Sequence, residues 1–289
     1  MPMLRAIDLA SEPALPVRFE LLRAGHFKGR TSEQWIRHPF TLIGQACGNA
    51  IRFEVEGQGV VRIPRGGGYV LSAAAHYRSI LPPGERYAFK WLHANVRLLQ
   101  ALDLFRAQPV PVAQPVSVGR AIGRTVDALL DLPAPDPRKA VARAARIQAL
   151  GLELLDAILA AAPAARPADA QWPSLRRVAP VLRFMEERMA EPLSKEDLAA
   201  ALHLSESRFH ELFMQALNLP PMKYLQDLRL KRAQQWLWTT EDPVAEIGRR
   251  CGFADAFHFS RIFKANFGAS PRAYRHQARR MAAWEHLER

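Results

Sequence analysis

Residues 251–275 read CGFADAFHFSRIFKANFGASPRAYR. The rings could line a core, a cofactor pocket or a stack of bases, and helical spacing separates these uses. Phe259, Ile262, Phe263 and Phe267 recur at intervals of three and four, so with Phe253 they form one buried face. Phe257 projects opposite Phe259, beside Arg261 and Lys264, with His258 and Ala265 at the edge of that outward face. Asp255 starts the helix. A preceding helix begins at Asp242-Pro243, turns Val244, Ile247 and Cys251 inward, carries Gly248 where another helix comes close, and breaks at Gly252.

The same grammar occurs once before. In LSKEDLAAALHLSESRFHELFMQAL, Ser194 and Asp197 cap a helix with Leu198 and Leu202 inward and Ala199 at the small position. Leu204 and Ser205 mark a turn, and Phe209, Leu212, Phe213 and Ala216 then fall at helical spacing. Leu198, Leu202 and Leu204 map onto Ile247, Cys251 and Phe253 at an offset of 49, and Phe209 and Phe213 onto Phe259 and Phe263 at 50, so the second copy has one extra turn residue. The outward face of the first copy holds Ser207, Glu211, Met214 and Gln215, edged by Arg208 and His210. Each copy reads as a helix-turn-helix, whose second helix offers its outer side chains to a major groove. A helix from Pro221 to Trp238 separates them, with Met222, Leu225, Leu230, Ala233 and Leu237 inward and Arg229, Lys231 and Arg232 left for structural pairing or phosphates.

Charge supports an anionic partner only locally. The chain of 289 residues has a formal net charge of +12, and between Arg229 and Arg280 there are 11 basic residues against 4 acidic. Hydrophobic content of 49% is that of a folded protein with real cores. No run approaches a membrane span, and Met1 to Ala10 carries arginine and aspartate where a signal peptide needs an apolar segment. The expectation is a cytoplasmic protein with no membrane partner. Cys47 and Cys251 are far apart without metal-ligand spacing, which excludes a zinc ribbon and argues against a disulfide framework.

From about Arg18 to His93 the pattern is short apolar runs broken by turn residues. Ile51, Phe53 and Val55 alternate with Arg52, Glu54 and Glu56, the period of a half-buried strand. Several such strands imply a sandwich or small barrel, and the glycines at 66–68 read as a hairpin bend. Ser117–Asp131 and Arg138–Ala162 read as helices. In the second, Val141, Ala144, Ala145, Ile147, Leu152, Leu154, Leu155, Ile158 and Leu159 cover a face too wide for a lone surface helix. Its partner is either the barrel or the same helix of a second subunit. The Ala/Pro-rich stretch at 160–173 reads as a linker.

The stretches LSKEDLAAALHLSESRFHELF, YLQDLRLKRAQQWL and PVAEIGRRCGFADAFHFSRIFKANFGASPRAYR resemble the DNA-binding domain of AraC/XylS-type bacterial transcription regulators over about residues 178–276. The resemblance implies a bi-lobed helical domain on promoter DNA and contacts with RNA polymerase. Carried over by position, it implies that Ser207, His210 and Glu211 in the first unit and Phe257, His258 and Arg261 in the second read bases, with Arg208 and Lys264 nearer phosphates. Glu211 departs from the basic or neutral residue expected there, which puts base reading by the first unit in doubt. GGGYVLSAAAHYRSI and PPGERYAFKWLHANV resemble, more weakly, the cupin-like effector domains that precede this module. Enzymatic cupins hold a metal with paired histidines. Here His76 and His93 stand apart with no HxH, so no metal and no cofactor are expected.

The reading is therefore an α+β multidomain chain. A cupin-like β-barrel sensor at 1–110 is followed by a helical dimerisation segment at 111–162, a linker at 163–174 and an all-α domain with two helix-turn-helix motifs at 175–289. Its function is a dimeric, effector-responsive transcriptional activator, not an enzyme, with His38, Tyr69, His76 and Trp91 as candidates for an organic effector's cavity. The alternative is a DNA-binding regulator whose barrel binds no small ligand and serves only dimerisation or protein contacts.

Overall fold

The computed structural model describes residues 16–163 and 172–284, apart from residues 32, 74, 100 and 101. Most of the expected linker, and the last five residues, lie outside the described residues. Ten strands come first: β1 (Val17–Gly29), β2 (Ile36–Arg37), β3 (Thr41–Ala46), β4 (Ile51–Val55), β5 (Gly59–Ile63), β6 (Gly68–Leu71), β7 (His76–Ser79), β8 (Tyr87–Leu98), β9 (Leu102–Asp103) and β10 (Ala113–Gln114). A short helix, α1 (Leu104–Ala107), lies between the last two, and α2 (Val116–Leu130) and α3 (Ala140–Ala161) follow. The C-terminal part is helical: α4 (Trp172–Glu187), α5 (Lys195–Ala200), α6 (Glu206–Leu217), α7 (Pro221–Thr239), α8 (Val244–Arg250), α9 (Ala256–Phe267) and α10 (Pro271–Trp284).

The strands form two antiparallel sheets. One runs β1-β8-β3-β6-β10 with β9 beside β8, and the other runs β2-β7-β4-β5. Alternation drives the arrangement: Ile51, Phe53 and Val55 are buried while Arg52 and Glu54 are not, so β4 has one core face. Between the sheets lie Leu42, Ile63, Tyr69, Leu71, Tyr77, Tyr87 and Trp91. Gly44 is required there, because a Cβ would stand 2.2 Å from the Tyr69 ring.

The outer face of the larger sheet is covered by α2 and α3. Val118, Ile122 and Val126 of α2 and Leu150, Leu154, Leu155 and Ile158 of α3 are buried against Phe19, Ile43 and Leu92. The first two turns of α3 do not take part: Val141 is 84% exposed, and further along Leu152 stands 42% exposed beside the packed face. Of the two partners open for this helix, the larger sheet takes its turns from Ile147 onward; the two sheets pack face to face and do not close into the expected barrel.

The two parts of the chain are docked along α7. Lys231 pairs with Asp103 at 2.8 Å, and Glu186 of α4 accepts both Arg97 of β8 at 2.8 Å and Arg232 of α7 at 3.1 Å. Gln234 donates to the Arg37 carbonyl and to the Tyr274 hydroxyl, at 3.1 and 2.9 Å. Gln235 donates to Asn95 Oδ1 and to the Pro39 carbonyl, at 3.1 and 3.3 Å. Tyr274 completes the set by donating to the Arg37 carbonyl at 3.2 Å. Arg229 holds the Met189 and Glu191 carbonyls at 2.8 and 2.6 Å. Structural pairing therefore occupies Arg229, Lys231 and Arg232, and the fourth basic residue of this helix, Lys223, pairs with Asp227 at 2.6 Å. Met222, expected inward, is instead 41% exposed, because the first turn of α7 packs through Pro221 and Tyr224 and leaves position 222 on the other side.

The seat of α3 on β1 is testable. A Cβ at Gly151 would lie 2.2 Å from the Phe19 ring, so Gly151→Val overpacks a core position and should cost about 1–3 kcal/mol. Urea unfolding should show a lower midpoint at unchanged slope; an unaltered midpoint would mean that α3 does not pack there.

Candidate functional site

The two repeated units place their outward faces by the same local devices. At the first, Ser194 Oγ accepts from Asp197 N at 3.1 Å while Asp197 accepts from Ser194 N at 2.8 Å. This reciprocal cap starts α5 and holds the Asp197 carboxyl below the usual range. The turn passes through His203 with φ of 54°, and its counterpart in the second unit is Gly252 with φ of 80°. Glycine fits the second turn for another reason: a Cβ there would meet the Met189 carbonyl at 2.3 Å.

The second helix of each unit is capped and then packed. Ser205 Oγ accepts from Arg208 N at 3.3 Å at the start of α6. Asp255 accepts from Phe257 N at 3.3 Å and His258 N at 2.7 Å at the start of α9, an arrangement worth about 1 kcal/mol. Phe209, Leu212, Phe213 and Ala216 are buried under α6, and Phe259 and Phe263 under α9. Gly248 lets α8 approach α9, since its Cβ would be 2.9 Å from the Phe259 ring. Burial pushes the Cys251 thiol up to about 12, so it is a neutral core group. Left-handed residues end both second helices, Asn218 at φ 49° and Gly268 at φ 76°.

Ser207, Arg208, Glu211, Phe257, His258, Arg261 and Lys264 are exposed and His210 is half-buried. Phe257 is 88% exposed, the largest departure of any described apolar ring from burial. The two faces differ in charge. On α6, Arg208 is bound to Glu211 at 3.0 Å, so its cation is already neutralised. On α9, Arg261 and Lys264 have no ion-pair partner among the described residues; the neighbouring Arg249 and Arg250 are held by Glu246 and Asp242.

A second candidate site lies between the sheets. A cavity of about 90 Å³ is walled by Phe27, Phe53, Tyr69, Tyr77, Phe89 and Trp91, with Thr31, His38 and His93 among its polar edges. Of the four residues expected around an effector, His38, Tyr69 and Trp91 line it. His76 lies outside this cavity; it bonds Glu56 at 3.3 Å and lines a separate cleft toward α10. His93, read from sequence only as isolated, comes within 5.2 Å of His38, ring to ring. Its alternation with Tyr87, Phe89 and Trp91 along β8 was the signal for that placement. Among the described residues, no cluster of three or more His, Cys, Asp or Glu side chains is poised to hold a metal.

Burial pushes His38 down to about 3. It also holds His93 well below the usual imidazole range, helped by His38 and Arg23. Both are neutral when folded, whereas in the unfolded chain each takes a proton near pH 6.5. Stability is therefore full above that pH and falls as pH drops toward the folded values, by up to about 1.4 kcal/mol per pH unit for each ring. Urea unfolding at pH 7.5, 6.5 and 5.5 should show this decline, and His38→Phe should roughly halve its slope; a flat profile would place charged imidazoles in the fold.

A family model described as a helix-turn-helix domain matches residues 198–277. The chain is 37% identical over 102 residues to the HTH-type transcriptional regulator ArgR of Pseudomonas aeruginosa, covering 35% of this chain and 31% of that protein. It is 37% identical over 99 residues to the transcriptional activator RhaS of an Enterobacter species, covering 34% and 36%. The match thus spans about a third of the length of these curated relatives. A solved transcriptional regulator from Chromobacterium violaceum, described as containing an AraC-type DNA-binding domain, is 36% identical, covering 37% of this chain and 96% of that one, with a TM-score of 0.35.

Proposed function

We propose that this chain, which belongs to the AraC-type helix-turn-helix family through its C-terminal module, is an effector-responsive, dimeric activator of transcription. It works in the cytoplasm, on promoter DNA and in contact with RNA polymerase, and is a regulator rather than a catalyst. In this proposal the sensor is 1–110, the dimerisation helices 111–162 and the DNA reader 175–289, and of the linker expected at 163–174 the last three residues open α4. One observation carries this: on a capped helix that buries Phe259 and Phe263, Phe257 stands exposed beside Arg261 and Lys264, which have no ion-pair partner among the described residues.

Within this reading, α9 does most of the discrimination. Arg261 forks onto guanine O6 and N7, Phe257 packs on a thymine methyl, His258 reaches a base edge, and Lys264 holds a phosphate. On α6, Ser207 and His210 face bases, while Arg208 must leave Glu211 to reach a phosphate. Glu211 then accepts from cytosine N4. That exchange makes the first unit the weaker reader.

The cavity favours a barrel that binds a small molecule over one that serves only protein contacts. A second copy of the chain is the occupant for the open face of α3. Val141, Ala145 and Leu152 fall on one line at 3.6 residues per turn, exposed and alongside the buried face.

Two experiments test these assignments. Duplexes selected from a random pool by the wild-type chain supply a target. Arg261→Ala and Phe257→Ala should each lower affinity for it about tenfold or more, consistent with about 1–3 kcal/mol per base contact, while salt-sensitive binding to scrambled DNA persists. Unchanged preference in both variants would remove α9 as the reader. In sedimentation equilibrium the wild-type chain should be a dimer and Leu152→Arg a monomer; a monomeric wild type would rule out the α3 interface.

A further inference from the structure

The cavity between the sheets is built to bind, not merely unfilled. His38 is 4% exposed and His93 2%, and the Nδ1 atoms of both, with Thr31 Oγ1, have no hydrogen-bond partner among the described residues. A buried polar atom without a partner costs about 1–3 kcal/mol. Three of them around one aromatic cavity define a small polar pole in an otherwise apolar chamber. No lysine or arginine lines it, Arg23 standing behind the Trp91 ring at 5.9 Å, so a carboxylate or phosphate would enter without a counter-charge in contact, at heavy cost. A sugar would bring more hydroxyls than the pole has partners. The chamber, about 90 Å³, is smaller than the roughly 150 Å³ cavity that admits benzene, so it takes at most a single ring and only with outward movement of its aromatic walls, which suit edge and face packing against such a ring.

The pole also faces the joint with the DNA-binding module. The His38 ring lies 5.0 Å from the Trp238 ring of α7 in an edge-on contact, and 5.1 Å from Phe40. The backbone carbonyls on either side of His38, those of Arg37 and Pro39, are the ones that accept Gln234, Gln235 and Tyr274. A group bonded to His38 therefore acts on the segment that docks α7.

We propose that this cavity binds a small neutral aromatic alcohol of the phenol class. The hydroxyl donates to one of the His38 and His93 rings and accepts from the other, the ring packs among Phe53, Tyr77 and Trp91, and occupancy reaches the DNA-binding module through the contact of His38 with Trp238. This rests on the reading of the chain as an effector-responsive regulator and adds the ligand's chemistry and the route.

The test uses the full chain, with phenol, toluene and benzoate as probes in calorimetry, and the selected duplex as the DNA readout. Phenol should bind at least tenfold more tightly than toluene, which lacks the hydroxyl, and than benzoate, which brings a charge. His38→Phe and His93→Phe keep a ring in place and should each weaken phenol binding at least tenfold, with folding checked by circular dichroism. Phenol should change the affinity of the wild-type chain for DNA at least fivefold. Trp238→Phe should bind phenol within threefold of wild type yet show no phenol effect on DNA. Absence of phenol binding, equal binding of toluene or benzoate, or indifference of both histidine variants overturns the ligand assignment. Phenol binding with unaltered DNA affinity, or a Trp238→Phe chain that still responds, overturns the route. Failure of the regulator reading is separate: it shows as no sequence-selective DNA binding under any condition, whatever calorimetry finds.

Discussion

Everything in this structure is arranged around the short strap from Arg37 to Pro39 and the two glutamines that hold it. Both amide hydrogens of Gln234 and both of Gln235 are spent, one of each pair on a strap carbonyl. Both side chains are buried, so a slip of α7 by one residue would strand the amides without water, at about 1–3 kcal/mol each. Apolar packing alone tolerates such slips; buried amides do not. The ion pairs of Lys231 with Asp103 and of Arg97 and Arg232 with Glu186 sit at the edge of the same joint. These pairs are largely buried, so the cost of desolvating them offsets most of their attraction, and their contribution is to register.

The repeated units are alike inside and different outside. Their cores carry the same rings and small residues at the same offsets, because a turn between two short helices leaves few ways to fill the angle between them. Their surroundings diverge. Leu198, Phe209 and Phe213 share one continuous core with α2, α3 and the larger sheet, whereas Phe253, Phe259 and Phe263 form a separate core with α7 and Tyr274. The unit whose cation is tied to Glu211 is thus the one fused to the N-terminal half. Under the proposed function, this assigns anchoring to α6 and discrimination to α9.

The sequence made legible whatever repeats at short range. The strand alternation of Ile51, Phe53 and Val55, the caps at Ser194, Ser205 and Asp255, and the ring spacing of α9 are each local and each present. The repeat runs further than the rings alone reveal: Asn218 and Gly268 end the second helices, and Pro221 and Pro271 begin the next ones, at the same offset of 50. The second face of α7 was not legible. Its partners, Asp103, Glu186, Asn95 and the strap, lie far away in sequence, so helical period identifies Leu225, Leu230, Ala233 and Leu237 but not what Lys231, Gln234, Gln235 and Trp238 meet. His38 and His93 stayed apart for the same reason, since only the pairing of β3 with β8 brings His93 beside Leu42 and within reach of the strap.

A joint of this kind sets the scale of any signal that crosses it. A ligand shifts docking only by the difference between its affinities for docked and released forms, and coupling between sites is typically about 1–3 kcal/mol. That is about the worth of one seam amide losing its carbonyl. Displacing the His38 ring moves the backbone between two such carbonyls, and the ring is wedged against Phe40, Tyr77, His93 and Trp238. Close-packed rings of this kind do not yield gradually; they exchange one arrangement for another. Under the proposed coupling the strap is the two-position element, and the energy needed to shift it is within what a small ligand can supply.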